Sequence, residues 1–227
     1  MLIMDKNISR HALAEQLVSR LDNAIALCVA EPYMWSEPVF AAEEQIIQGA
    51  TFKRQTEFRA GRHCAHSLLN QLGYPDFALL KQADRQPLWP SDVVGSISHT
   101  QNFCMAACAS AYRIKLLGLD VENNLALDDD ILDSTHHAAE KLYLAEHPVL
   151  PARLIFSIKE SIFKCLYPQV KKYFDFLDVD VALNPEQGSF TYHPRADASI
   201  RLPDYAELRG YFVFDAQHLI SVCYVAC

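Results

Sequence analysis

The sequence predicts an α+β protein built from two similar lobes. In each half, segments with helical spacing are followed by segments in which apolar residues alternate, as expected of strands. No low-complexity tract or linker interrupts the 227 residues, so we expect the lobes to pack against each other. We predict an N-terminal lobe over residues 1–113 and a C-terminal lobe over residues 114–227, although internal sequence repetition is too weak to show that the two are related.

The N-terminal half contains helical segments and then strands. The predicted elements are a short amphipathic helix over 9–20, a strand over 26–30, helical spacing over 43–73 that fits two helices and stops at Gly73, and two strands, VVGSISHT and NFCMAACAS, joined by a tight turn. The C-terminal half repeats this mixture. It begins with the strand LLGLDVENN, continues with an acidic loop, a helix around 135–146 and a strong helix over 150–168 closed by Pro168, and ends in an antiparallel β region.

Composition excludes several classes of protein. The net charge of −8 argues against a general nucleic-acid binder. Seven cysteines without a CxxC pair indicate reduced thiols. The N-terminus lacks the pattern of a signal peptide, and no apolar run reaches the roughly 20 residues of a membrane span. We therefore expect a cytoplasmic protein that does not bind nucleic acid and has no membrane span. We also expect it to be a monomer.

Two carboxylates lie side by side on the strand LLGLDVENN. Side chains two residues apart on a strand point the same way, so Asp120 and Glu122 share one face. Like charges this close repel, and each raises the pKa of the other unless a cation separates them. The pair either destabilises the strand by electrostatic repulsion or forms part of a cation-binding site.

The helix IFSIKESIFKCLY combines a wide apolar arc with a narrow polar stripe that contains Glu160 and Lys164. Lys159 falls within the apolar arc, where an ammonium group needs a partner. In one interpretation Lys159 reaches outward to solvent, and Glu160 and Lys164 form an ordinary i, i+4 pair. In the other, the stripe faces a cleft in which Glu160, Asp120 and Glu122 share a hard divalent cation, with Mg²⁺ favoured.

Two further stretches suggest an anionic ligand. FKRQTEFRAGRHCAH carries four basic residues (Lys53, Arg54, Arg59 and Arg62), which form either a solvated helix face or a phosphate clamp, because arginine matches phosphate oxygens with a planar fork. GSISHT places Ser98 and His99 near a turn. The sequence has no GxSxG elbow, so these two residues are more plausible as phosphate or ribose ligands than as part of a hydrolase triad.

Five segments occur together and in order: FKRxxEFxAGRxCAxxxL, RQPLWP, GSISHT, LGLDVE and FSIKESIFKCLYP. This set resembles the phosphopantetheinyl transferases and, more narrowly, their siderophore branch of the enterobactin type. The resemblance covers about residues 40–180. It implies the fold of that family, with two lobes related by a pseudo-two-fold axis. It also implies transfer of the 4′-phosphopantetheine arm of coenzyme A (CoA) to a serine of an apo acyl, peptidyl or aryl carrier protein, with release of 3′,5′-ADP.

The resemblance also implies residue roles. Asp120, Glu122 and Glu160 match the Mg²⁺ carboxylates, and Glu160 is the candidate that accepts the serine proton. Lys164 matches the lysine on the phosphates at the transferring end. The residues matched to CoA binding are Arg54, Arg62, Arg85, Ser98, His99 and Lys159, with His99 on the 3′-phosphate and Arg62 near the adenine.

One segment departs from the family pattern. Carrier proteins are usually acidic, yet the stretch after the metal strand contains Asp128, Asp129 and Asp130. We therefore expect an apolar contact with the carrier, or one that uses basic residues elsewhere. Two alternatives remain. One is a CoA-binding regulatory module without catalysis, and the other is a different Mg²⁺-dependent nucleotide phosphotransferase, for which no glycine-rich phosphate loop is present.

Overall fold

The structure confirms the α+β class. A computed structural model describes residues 10–227, which form six α-helices, eight strands and three 3₁₀ turns. The helices are α1 (Arg10–Val18), α2 (Ala41–Glu44), α3 (Phe52–Gln71), α4 (Asp129–Thr135), α5 (Ala138–Glu146) and α6 (Leu154–Val170). The strands are β1 (Ala26–Val29), β2 (Val93–His99), β3 (Cys104–Ser110), β4 (Ile114–Asn123), β5 (Val179–Asn184), β6 (Ser189–Pro194), β7 (Arg209–Phe214) and β8 (His218–Ala226). None of these helices is both long enough and apolar enough to cross a membrane.

The strands divide into two antiparallel sheets. The first has the order β1-β3-β2, and the second has the order β4-β8-β7-β6-β5. The first sheet comes entirely from residues before 113 and the second from residues after it. The pseudo-two-fold relation and the domain boundary stay predictions.

The helices of the N-terminal half follow the predicted pattern. The helix expected over 9–20 is α1, and residue 9 lies outside the described residues. The segment 43–73 contains two helices, α2 and α3, as expected. Thr51 caps α3, because its hydroxyl oxygen accepts a hydrogen bond from the Arg54 backbone N–H at 3.3 Å. Gly73 follows the helix with a φ of 91°, a conformation that favours glycine.

Two predicted helices have different bounds. The helix expected over 135–146 is interrupted, because His136 and His137 both have extended backbone and separate α4 from α5. The helix expected to end at Pro168 instead continues to Val170. Proline removes only one N–H, and the next turn is still closed by the Lys171 N–H, which donates to the Tyr167 carbonyl at 2.9 Å. Lys171 then ends the helix with a φ of 52°.

A row of hydroxyl groups joins the two lobes where β2 meets β4. Side chains two residues apart on a strand point to the same side. Three hydroxyl-bearing residues have this spacing along β2 and just after it, and all three contact β4. Their contacts are Ser96 Oγ with the backbone N–H (3.0 Å) and carbonyl (3.4 Å) of Leu119, Ser98 Oγ with Asp120 Oδ1 (2.9 Å), and Thr100 Oγ1 with Asn123 Oδ1 (2.9 Å). We call this row the hydroxyl seam.

Helix α6 packs closely against β4 and β8. The polar stripe of the helix is partly buried in this contact, since Ser157 and Ser161 are fully buried and Ser157 Oγ lies 3.0 Å from Ser221 Oγ. Gly118 on β4 permits the close approach. A Cβ atom at this position would overlap the Ser161 carbonyl oxygen and lie 2.6 Å from the Cys165 backbone nitrogen. The sequence therefore sets α6 directly over the part of β4 that carries Asp120.

Replacing Gly118 by alanine tests this packing. We expect G118A to lower the free energy of unfolding by about 3 kcal/mol or more, because the new methyl group meets helix backbone that cannot rotate away. Urea unfolding measures the change. G61A is the control, because a Cβ there meets mainly the Ile97 side chain, at 2.9 Å, and alanine favours helix. We expect it to stay within about 1 kcal/mol of the unmutated protein. Equal effects of the two substitutions would contradict the account.

Candidate active site

The centre of the candidate site is a cluster of three side chains from three elements. Asp120 on β4 accepts hydrogen bonds through Oδ1 from Ser98 Oγ on β2 (2.9 Å) and from Lys164 Nζ on α6 (2.6 Å). Lys164 Nζ also donates to Ser98 Oγ at 2.9 Å. The hydroxyl seam thus brings one residue of the N-terminal lobe into contact with the predicted transfer residues of the C-terminal lobe.

The other two predicted metal carboxylates lie near this cluster in a poorly solvated region. Burial, together with the charge of Asp120, raises the pKa of Glu122 to about 7, and the nearby Arg153 opposes this shift. Arg153 Nη1 lies 3.3 Å from Glu122 Oε2. Burial also raises the pKa of Glu160 above its usual range, while Lys164 lowers it and Asp120 adds to the increase. Negative charge is therefore costly at both carboxylates, as expected where a cation belongs.

The three carboxylates are not assembled as a ready-made metal site. Within residues 10–227, no group of three or more His, Cys, Asp or Glu side chains is arranged so that it could hold a metal ion. Side-chain cations contact two of the carboxylates instead, since Lys164 lies against Asp120 and Arg153 against Glu122. The donor chemistry still fits a hard divalent cation. Asp120 Oδ2 is buried without a hydrogen-bond partner among the described residues, and carboxylate oxygens are the ligands that Mg²⁺ prefers.

A cationic cavity of about 470 Å³ lies on the N-terminal side of this cluster. Arg54 and Arg62 reach it from α3, and His99 reaches it from the end of β2. Lys81 and Arg85 line its opposite wall. Four of the predicted CoA-binding residues therefore share one cavity, whose excess of positive charge suits an anionic ligand.

Arg62 is the most buried of these cations. It is 6% exposed, its guanidinium lies 4.3 Å from the centre of the Phe58 ring, and burial lowers its pKa to about 10. Its Nε atom has no hydrogen-bond partner among the described residues and lies 3.7 Å from Glu43 Oε1. A buried guanidinium that lines a cavity is a favourable place for an anionic group of a ligand, because that group would compensate its charge.

His99 lies between groups of opposite charge. Its Nε2 atom is 3.4 Å from Arg54 Nη1, and its Nδ1 atom is 3.8 Å from Glu57 Oε2. Burial lowers the pKa of His99, and Glu57 opposes this effect. The electrostatics of the imidazole therefore depend on what occupies the cavity beside it.

A hairpin over residues 80–88 forms the wall that carries Lys81 and Arg85. Its backbone is closed by the Leu88 N–H, which donates to the Leu80 carbonyl at 2.8 Å, and by the Gln82 N–H, which donates to the Gln86 carbonyl at the same distance. Arg85 has a φ of 71°, in the left-handed region that costs free energy for a residue other than glycine. At the tip of the hairpin, Asp84 forms a 3.2 Å ion pair with Lys171 at the end of α6.

A second cavity, of about 440 Å³, lies on the other side of this hairpin. Pro87 and Ile97 line both cavities. Most of the second cavity is apolar, with Trp89 and Phe163 in its wall, and Lys164 of the central cluster opens into it. The cationic and apolar cavities therefore lie next to each other, on the two sides of one shared wall.

The structure does not bring Lys159 into this assembly. Lys159 does not reach outward to solvent, as one interpretation expected, because its side chain is 1% exposed. Its ammonium donates to Glu140 Oε2 at 2.7 Å and to the Thr135 carbonyl at 2.9 Å. Lys159 lines neither cavity and forms a buried ion pair between α6 and α5, so its assignment to CoA binding stays a prediction without support from these contacts.

Only two of the four basic residues of α3 line the cationic cavity. Arg59 forms a bidentate ion pair with Glu44, in which Nε donates to Oε1 at 2.9 Å and Nη2 donates to Oε2 at 2.8 Å. It does not line the cationic cavity. Lys53 is mostly exposed and lies 3.8 Å from Glu57. Arg54 and Arg62 therefore act separately from the other two basic residues.

Sequence reasoning missed several residues of the site, among them Lys81, Arg153 and Glu43. Lys81 lies close to Arg85 in the sequence, so the segment KQADRQP already contained a second cation. Arg153 stands at the N-terminus of α6, where a positive charge is unfavourable, and this irregularity was a usable signal. Nothing in the sequence indicated that Glu43 is buried.

Comparison with known proteins agrees with this architecture. The model of the 4′-phosphopantetheinyl transferase N-terminal domain matches residues 42–109, and the model of the 4′-phosphopantetheinyl transferase superfamily matches residues 116–223. The chain belongs to the 4′-phosphopantetheinyl transferase superfamily. The resemblance to the phosphopantetheinyl transferases is thereby confirmed, and the narrower resemblance to their siderophore branch stays a prediction.

Similar proteins come from several bacteria. 4′-Phosphopantetheinyl transferase Svp of Streptomyces mobaraensis is 38% identical over 67% of this chain and 64% of its own length. 4′-Phosphopantetheinyl transferase Npt of Nocardia iowensis is 33% identical over 65% of this chain and 68% of its own. Enterobactin synthase component D of Escherichia coli K12 is 32% identical over 60% of this chain and 65% of its own. The matched part thus spans about two thirds of each relative.

Substitutions in the buried pair of Lys159 and Glu140 test whether this ion pair stabilises the fold. We expect K159M to lower the free energy of unfolding by about 3–5 kcal/mol, because Glu140 would remain buried without its counter-ion. The double variant K159M/E140Q should recover part of this loss, since the glutamine is neutral. Urea unfolding measures both, with K172M at an exposed position as the control. A K159M protein as stable as the unmutated one would show that the pair does not stabilise the fold.

Proposed function

We propose that this protein transfers the 4′-phosphopantetheine arm of CoA to a serine of an apo carrier protein, with release of 3′,5′-ADP. The observation that carries the proposal is the adjacency of three features: the cationic cavity, the apolar cavity, and the cluster of Asp120, Ser98 and Lys164. CoA has an anionic nucleotide end, a diphosphate and a largely uncharged arm. The membership of the chain in the transferase superfamily supports the same function.

The nucleotide end of CoA is assigned to the cationic cavity. Arg54, Arg62, Arg85 and His99 line it, and the 3′-phosphate is the group that most needs their charge. Lys81 adds a fifth positively chargeable side chain. Arginine binds phosphate through paired N–H donors, which fixes orientation as well as affinity. Ser98 supports this end indirectly, because its hydroxyl is engaged with Asp120 and Lys164.

The diphosphate and the arm are assigned to the region around Lys164. Lys164 belongs both to the central cluster and to the wall of the apolar cavity. Its ammonium is therefore well placed to bind the diphosphate, which joins the nucleotide end of CoA to the arm. The pantetheine arm then occupies the apolar cavity beside Trp89 and Phe163. Burial of an uncharged arm against aromatic side chains contributes favourable free energy.

Asp120, Glu122 and Glu160 are the residues that would hold Mg²⁺. The unpartnered Oδ2 atom of Asp120 and the costly charges of the other two carboxylates support this proposal. An ion held by these carboxylates would neutralise charge on the phosphate oxygens. Mn²⁺ accepts the same ligands, so the donor set alone does not select magnesium.

The chemistry that falls to the protein is charge stabilisation and removal of one proton. The oxygen of the carrier serine forms a bond to the β-phosphorus, the bond to the bridging oxygen breaks, and 3′,5′-ADP leaves with that oxygen. Lys164 stabilises the negative charge that develops on the phosphates. Glu160, one helical turn before Lys164, accepts the serine proton, either directly or through water. The nucleophile belongs to the carrier, so no activated serine of this chain is needed.

The carrier is proposed to approach over the loop that follows β4. Arg153 ties this loop to the site, since its Nη2 donates to the Ala126 carbonyl at 3.2 Å while Nη1 contacts Glu122. Leu125 is 61% exposed beside these contacts and offers an apolar surface. The likeness to enterobactin synthase component D supports carriers of siderophore or other nonribosomal peptide synthesis. We further propose that the protein acts as a cytoplasmic monomer.

Incubation with an apo carrier protein, CoA and Mg²⁺ tests the proposed function. Mass spectrometry should show a gain of about 340 Da on the carrier, the mass of the transferred arm. The gain should disappear with chelator and return with added Mg²⁺. Binding of CoA without any such gain, across peptidyl, aryl and acyl carriers, would favour a regulatory CoA-binding module instead.

Replacing Glu160 by glutamine tests the proton acceptor. We expect E160Q to reduce the rate of transfer at saturating CoA by about 100-fold or more, because the amide cannot take the serine proton. Calorimetry should show that E160Q still binds CoA. The matched control is E186Q, in an exposed turn far along the chain from α6, which should transfer at the unmutated rate. Transfer by E160Q at that same rate would remove Glu160 from the proposed mechanism.

A further inference from the structure

We infer that Glu43 is a positioning residue of the cationic cavity, holding both of the walls between which the nucleotide would lie. The inference rests on the proposed function for the identity of that nucleotide. One wall is α3, which carries Arg62, and the other is the hairpin over 80–88, which carries Lys81 and Arg85. Glu43 lies outside the lining of the cavity and would not touch the ligand.

Glu43 is a fully buried carboxylate with partners in different elements. It is 0% exposed. Its Oε1 atom accepts a hydrogen bond from the Leu79 backbone N–H at 2.7 Å, lies 2.9 Å from His66 Nε2, and faces Arg62 Nε at 3.7 Å. Its Oε2 atom accepts from the Phe40 backbone N–H at 3.2 Å. A buried charge of this kind is tolerated only where such partners compensate its loss of water.

These partners lead to both walls of the cavity. The contact with Arg62 acts on a guanidinium that has no hydrogen-bond partner at Nε, so Glu43 is the nearby negative charge that orients it. The contact with Leu79 fixes the residue immediately before the hairpin. Lys81 follows two residues later and is paired with Pro87 across the hairpin. One oxygen atom thus sets the distance between Arg62 and the base of the opposite wall.

The cavity needs such a constraint because its lining is dominated by like charges. Burial lowers the pKa of Arg62, the charge of Glu43 opposes this, and repulsion from the Arg54 guanidinium lowers it further. The ion pair between Asp84 and Lys171 holds the tip of the hairpin, while Glu43 holds its base. Without the charge of Glu43, we expect Arg62 and the hairpin to separate until a phosphate draws them together, and that rearrangement reduces affinity.

Glu44, the next residue of α2, supplies a matched control. It is also a glutamate and also pairs with an arginine of α3, but its partner is Arg59, and neither residue lines the cationic cavity. An effect caused merely by loss of a glutamate–arginine pair on α2 would appear in both variants. An effect on the nucleotide should appear only at Glu43.

The experiment measures binding and kinetics of E43Q and E44Q in the full-length protein. We expect E43Q to bind 3′,5′-ADP about tenfold more weakly and to raise the KM for CoA by a similar factor, with kcat at saturating CoA and the KM for the carrier unchanged. E44Q should match the unmutated protein in all four quantities. A fall in kcat alone, or equal losses in E43Q and E44Q, would overturn the positioning role.

Hydrogen exchange in the unmutated protein provides a measurement that does not depend on whether E43Q folds. Addition of 3′,5′-ADP should slow exchange in residues 79–88 and in α2 together, since Glu43 links them. Slowing in 79–88 with no change in α2 would overturn the inference but leave the proposed function intact. Failure of the unmutated protein to bind 3′,5′-ADP at all would overturn both.

Discussion

The hydroxyl seam between β2 and β4 is the constraint on which the rest of the site depends. The two sheets share no strand, and there side chains of β2 reach β4 beside an apolar core to which both halves of the chain contribute. Ser98 matters most, because the Asp120 oxygen that it contacts also accepts from Lys164. The cationic cavity, the apolar cavity and the cluster of Asp120, Ser98 and Lys164 therefore all lie next to the contact between β2 and β4.

Buried charge is distributed behind this surface in a consistent way. Lys159 and Glu140 form a buried ion pair between α6 and α5, and Glu43 faces Arg62 from outside the lining of the cationic cavity. Each of these groups would be costly alone and is compensated by partners from different elements. Two polar atoms of the predicted site residues, Asp120 Oδ2 and Arg62 Nε, are buried without a hydrogen-bond partner among the described residues.

The sequence was most informative where chemistry and periodicity coincide. Strand alternation predicted that Asp120 and Glu122 share a face, and helical spacing predicted that Glu160 and Lys164 share a stripe. These residues do lie on a strand, β4, and on a helix, α6. The partner of Lys159 could not be predicted, because Glu140 approaches it only through packing of α5 on α6. Pro168 was also misleading, since the helix loses one hydrogen bond there and still gains the next turn. The two cavities depend on how far the hairpin stands from α3, a tertiary distance that no local pattern encodes.

A crystal structure with CoA and Mg²⁺ would test the central claim most directly, namely that one molecule of CoA spans the two cavities past Lys164. The account predicts the 3′-phosphate in the cationic cavity near His99, the diphosphate against Lys164, and the arm in the apolar cavity beside Trp89. A metal ion should contact Asp120. Density for the nucleotide in the apolar cavity, or a diphosphate remote from Lys164, would contradict the account.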